Sequence, residues 1–101
     1  MKCHEIPYEA QQAFNLAKTI GSRRHKALIA LLIKERKAAG MNQTELARAL
    51  GQYQSFIARV ESGERRVDVI EFLDIAAAIG IDPKAAISKL QAKWRPKYLR
   101  E

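Results

Sequence analysis

Apolar positions recur every three or four residues along most of this chain, and glycines and prolines fall where the recurrence stops. In residues 8–20 (YEAQQAFNLAKTI), Ala10, Ala13, Phe14, Ala17 and Ile20 share helical spacing between Pro7 and Gly21. A second helix is predicted over about 24–39, with Leu28, Leu31, Leu32 and Ala39 turned inward and Gly40 at its end. Asn42 then caps a short helix over 43–50, and Glu45 at the third helical position makes a capping box with Asn in place of Ser or Thr. Gly51 ends that helix, and Gln52-Tyr53 leads into a fourth over 54–61, closed by Ser62-Gly63. The segment 69–79 (VIEFLDIAAAI) is strongly apolar. Its predicted inward face holds Ile70, Leu73 and Ala77, with Phe72 and Ile75 as further candidates, and Gly80 ends it. Asp82-Pro83 starts a last helix running to about Ala92, after which Pro96 breaks the tail. No segment alternates as a strand would, so the expected fold is all-α. It comprises an amino-terminal extension, 1–22, with a helix over about 8–20, a helical domain, 23–92, and a basic carboxy-terminal tail, 93–101.

Length and charge narrow the classes of function. A chain of 101 residues, 48% apolar, is one domain's worth with a modest core. No run approaches the roughly 20 apolar residues of a membrane span. The opening MKCHEIPYEA lacks the apolar stretch of a secretory signal, and the single Cys3 cannot form an internal disulfide. Both fit a cytoplasmic protein. The net charge of +7 is unevenly placed. Residues 1–60 hold ten Lys and Arg against four Asp and Glu, residues 61–82 two against six, and residues 83–101 six against one. Basic charge distributed in this way points to a polyanionic partner such as nucleic acid.

The pair of short helices 43–50 and 54–61, abutting at Gly51, is where that charge meets a specific surface. In the second of them Ile57 and Val60 face the core, while Gln54, Ser55, Ala58 and Arg59 point elsewhere. Gln can bond adenine through two hydrogen bonds and Arg can do the same to guanine; Ser55 and Ala58 are small enough for close approach. A helix-turn-helix that lays its second helix in the DNA major groove has this arrangement.

Residues 28–88 resemble the Cro/lambda-repressor-like, or Xre-type, helix-turn-helix family. The resemblance rests on Gly40, Asn42-Gln43, Glu45-Leu46-Ala47, Leu50-Gly51, Gln54-Ser55, Ile57, Val60-Glu61, Gly63, Ala77 and Ile79-Gly80. It implies a lambda-repressor-like five-helix DNA-binding domain, here with an extra amino-terminal helix. It also implies roles: Gln54, Ser55 and Arg59 as base readers, with Tyr53 just ahead of them reaching base or backbone. Gln43 would hold a phosphate and buttress Gln54, and Ser62, Arg65 and Arg66 would touch the backbone. Arg36 and Glu61 match a pair that forms an internal salt bridge in this family, a reading preferred to Arg36 as a further DNA contact. Phe56 has two open readings, contact with a thymine methyl or inward packing. The chain departs from the family in carrying Tyr53 where many members have a small residue, and in having no Pro in the run Glu64-Arg65-Arg66-Val67-Asp68.

The function expected is therefore a sequence-specific regulator that binds a double-stranded DNA operator, a repressor acting as a homodimer, encoded by a bacterium, phage or plasmid and nucleoid-associated. The dimer surface is expected from the last helix, the tail or the amino-terminal helix. The alternative is the antitoxin of a toxin–antitoxin pair, gripping a protein partner through 8–20 or 93–101, where Trp94, Tyr98 and Leu99 would anchor it. The cluster 22–26 (SRRHK) is placed near flanking phosphates. No paired carboxylates, Cys/His arrangement or Gly-rich phosphate loop suggests an enzyme. His4, His25 and Cys3 lack metal-ligand spacing, so no cofactor or metal is expected.

Overall fold

The computed structural model describes residues 20–92, which form five helices: α1 (Arg23–Ala38), α2 (Gln43–Leu50), α3 (Gln54–Glu61), α4 (Val69–Ile79) and α5 (Pro83–Ala92). The readings made for 8–19 and 93–101 lie outside the described residues. Helix ends follow local chemistry. Ser22 starts α1 by accepting from the His25 N–H. Asn42 and Glu45 exchange side-chain-to-backbone hydrogen bonds at the start of α2, and Asp68 and Glu71 do the same for α4. Asp82 Oδ1 accepts from the Lys84 N–H at the start of α5.

The stop between α2 and α3 decides where the second helix points. Gly51 adopts φ 67°, a left-handed conformation. Its N–H donates to the Arg48 carbonyl, and the Gln52 N–H reaches back to Ala47 at 2.9 Å. These two bonds satisfy carbonyls that the helix end would otherwise leave open and turn the chain sharply into α3. A Cβ at Gly51 would meet nothing within 4 Å, so the demand for glycine is one of backbone conformation and not of space.

Every helix contributes to one core. Ile29 and Leu32 of α1, Leu46 and Ala47 of α2, Ile57 and Val60 of α3, Phe72, Ile75 and Ile79 of α4, and Ala86 of α5 are buried together. α2 packs on α3 and α4, and α1 packs on α3 and α5. Two expected faces are corrected. In α1 the buried residues are Ile29, Leu32 and Arg36; Leu28 and Leu31 are half-buried, and Ala39 is the exposed residue that ends the helix. In α4, Ile70 is 65% and Leu73 41% exposed and Ala77 is exposed, whereas Phe72, Ile75, Ala76 and Ile79 are buried. Both stripes of that segment are apolar at helical spacing, so periodicity does not choose between them. Burying a phenyl ring and two isoleucines removes more apolar surface from water than burying Ile70, Leu73 and Ala77, and this sets the rotation of α4.

Replacing Gly51 with Ala is expected to lower unfolding free energy by about 1–2 kcal/mol, the cost of an L-residue held left-handed. Urea denaturation followed by circular dichroism measures it. A loss beyond that range would mean crowding at a position where the structure has none.

Candidate nucleic-acid interface

α3 has only eight residues, and an isolated helix of that length does not persist in water. It holds because Ile57 and Val60, 1% and 2% exposed, are seated in the core against α1 and α2. That anchorage turns Gln54, Ser55 and Arg59 outward, all three exposed, with Ala58 half-buried between them. Tyr53 stands in extended conformation before the helix, 83% exposed, and contributes no side-chain cap.

Beneath this surface four of the sequence-selected residues meet in one hydrogen-bond relay. Arg36 Nε donates to Glu61 Oε2 at 2.6 Å and Nη2 to Oε1 at 2.9 Å. Its Nη1 donates to the Met41 carbonyl at 2.7 Å, tying the α1–α2 turn to the pair. Both side chains are only 8% exposed, and Arg36 is the one buried charged residue among those described. The hydrogen bond to Glu61 holds the Arg36 guanidinium above its ordinary range, outweighing the opposing effect of burial. Gln43 Nε2 then donates to Glu61 Oε1 at 2.9 Å, and Gln54 Nε2 donates to Gln43 Oε1 at 2.7 Å. The structure thus joins Arg36, Glu61, Gln43 and Gln54 from the first core helix to the exposed end of α3.

The loop after α3 is held by a second cluster. Arg65 donates to both carboxylate oxygens of Glu71, at 3.0 and 3.2 Å, and its guanidinium lies 4.6 Å from the centre of the Phe56 ring. Phe56 itself is half-buried against the core, so of its two readings the structure shows inward packing. Glu71 also accepts from the Asp68 N–H. The Arg65 bonds, above all, hold the Glu71 carboxyl below its ordinary range. Sequence reasoning gave Arg65 a place on the phosphate backbone and gave Glu71 no part; the signal for Glu71 was the Asp68-x-x-Glu71 capping box. Ser62 Oγ lies within hydrogen-bond distance of the Arg59 carbonyl and Glu64 Oε2, and its single proton serves one of them at a time. Arg66 lines a shallow groove of about 300 Å³ with Ser22, Arg24, His25, Leu28, Val67 and Leu90, so the 22–26 cluster and the loop share one side of the domain.

Among the described residues no group of His, Cys, Asp and Glu is placed to hold a metal, and no helix is long and apolar enough to cross a membrane.

A Helix-turn-helix family model matches residues 32–85, more than half of the chain. Among solved structures, an XRE-family like protein from Pseudomonas syringae pv. tomato str. DC3000 is 51% identical with a TM-score of 0.70, covering 78% of this chain and 96% of that one. No curated protein matches. The chain belongs to the XRE-type helix-turn-helix family, a family of DNA-binding transcription regulators.

The Arg65–Glu71 contact carries a pH signature. A carboxyl whose folded pKa is depressed contributes stability that is full above its unfolded pKa and lost as pH falls through the folded value. On titration from about pH 6 to about pH 3, the native chain should therefore lose more stability than Arg65→Met, in which Glu71 returns toward its ordinary range. Thermal melts across that window check it; parallel losses in the two proteins would show that the contact does not persist in solution.

Proposed function

We propose that this chain is a sequence-specific repressor that reads the major groove of an operator with α3, binding as a homodimer in the cytoplasm of a bacterial host. The observation that carries this reading is the outward face of α3: Gln54, held by its bond to Gln43, beside exposed Ser55 and Arg59, with no acidic side chain among them. Gln54 would pair with adenine and Arg59 with guanine. Tyr53 would reach base or sugar at the helix entrance. No side chain caps α3, and although the Phe56 N–H is taken by the Tyr53 carbonyl, a phosphate would be favoured at this helix amino terminus. Gln43, Ser62, Arg65 and Arg66 would complete the backbone contacts. Arg65 can share them, since Glu71 takes two of the five N–H donors of a guanidinium.

Two half-sites one DNA turn apart, about 34–36 Å, require two copies of α3 in fixed relation. The exposed Val69, Ile70 and Leu73 on α4 support a protein–protein contact. Repression would follow from occupancy of the operator, which blocks polymerase. The same apolar stripe also suits a heterologous protein, the antitoxin reading. Size-exclusion chromatography with the neighbouring gene product separates the two, since a stable heterocomplex favours the antitoxin.

In gel-shift titrations Gln54→Ala and Arg59→Ala should each cost about 1–3 kcal/mol on the specific duplex and relax its sequence preference. Arg66→Ala should instead weaken all duplexes alike and lower the slope of log affinity against log salt by about one unit. Unchanged discrimination by Gln54→Ala would remove α3 from the reading role.

A further inference from the structure

We propose that Glu61, a side chain that does not face the groove, determines the base preference of Gln54 by setting the hydrogen-bond polarity of the relay through Gln43. The inference rests on the reading of α3 as the recognition helix. It begins with a chemical asymmetry: an ionised carboxylate only accepts hydrogen bonds, whereas a glutamine amide can present either its oxygen or its nitrogen. The Arg36 guanidinium bonds both oxygens of Glu61 in a site where each side chain is 8% exposed, so both oxygens are engaged as acceptors.

Polarity then propagates by necessity. Glu61 Oε1 has a further lone pair turned to Gln43, and only a donor satisfies it, so Gln43 presents Nε2 there at 2.9 Å. The amide is thereby fixed with Oε1 toward Gln54, and Gln54 must answer with its own Nε2 at 2.7 Å. Glu61 and Gln54 are seven residues apart on α3, two turns or about 10.5 Å along the axis, and Gln43 of α2 spans the interval. One Nε2 proton of Gln54 is used inward, which leaves one donor and the Oε1 acceptor facing out. That pair complements adenine, whose major-groove edge offers the N7 acceptor and the N6 donor. With the opposite polarity Gln54 would accept from Gln43 and turn both Nε2 protons outward, a pattern matching the O6 and N7 acceptors of guanine. An exposed glutamine without the relay would be free to adopt either orientation.

The test is selection of bound duplexes from a random pool, carried out with the full chain and its variants. The native protein should enrich adenine at the position that Gln54→Ala relaxes. In Glu61→Gln the amide gives up one Arg36 bond whichever way it faces, because Oε1 serves both Arg36 Nη2 and Gln43, so the polarity of the relay is no longer imposed; the adenine-over-guanine ratio there should fall about tenfold, with the position read by Arg59 unchanged. The double variant Glu61→Gln with Gln43→Glu restores an acceptor next to Gln54 and should recover the adenine preference, which a merely structural role for Glu61 would not produce. Gln43→Met cuts the relay while leaving the ion pair in place, so it decides the matter if Glu61→Gln does not fold. The proposal is overturned if folded Glu61→Gln, or Gln43→Met, keeps the native ratio at that base. A native chain that enriches no duplex would overturn the parent reading of α3, and the relay with it.

Discussion

The buried pair of Arg36 and Glu61 is the interaction on which the remainder of the domain is arranged. It joins the end of α1 to the end of α3, and through the Met41 carbonyl it also holds the turn into α2. Three helices therefore share one charged contact in a place where charge is costly. Such a pair adds little net stability over well-packed apolar residues, yet losing one partner leaves an uncompensated buried charge at about 3–5 kcal/mol. What apolar residues could not supply is direction. A carboxylate dictates which atom of Gln43 approaches it, and a leucine there would leave the amide indifferent.

α3 depends on this framework more than on itself. Its eight residues lack a side-chain cap at the start, and two of its inward residues, Ile57 and Val60, are almost wholly buried. Packing at those positions fixes the helix along its axis, and Glu61 fixes its far end. The following loop is clamped separately, with Arg65 laid over Phe56 and bonded to Glu71 at the first turn of α4. Charge in the loop thus orders the chain between α3 and α4.

Most element boundaries were legible from local chemistry. Asn42 with Glu45, Gly51, Gly80 and Asp82-Pro83 act within a few residues of themselves, so their effects do not wait for the fold. The outward set on α3 was legible for the same reason, because Ile57 and Val60 leave only one way to turn a short helix. The rotation of α4 was not, since Val69, Ile70, Leu73 and Ala77 form a stripe as apolar as Phe72, Ile75, Ala76 and Ile79. Nor was the partner of Arg65: Phe56 and Glu71 lie nine and six positions away, and neither spacing marks a contact.

The sequence by itself determined that the described chain is helical, where its helices begin and end, and which residues of α3 are free to face outward. Those properties depend on backbone conformation and on interactions a turn or two long. The Arg36–Glu61 pair and the support of Gln54 by Gln43 were expected through the family resemblance and not from spacing; only the tertiary structure decided which stripe of α4 is buried and that Gln43 is itself bonded to Glu61. The reason is physical: such contacts require surfaces brought together by burial of the whole core, and no local rule encodes their geometry.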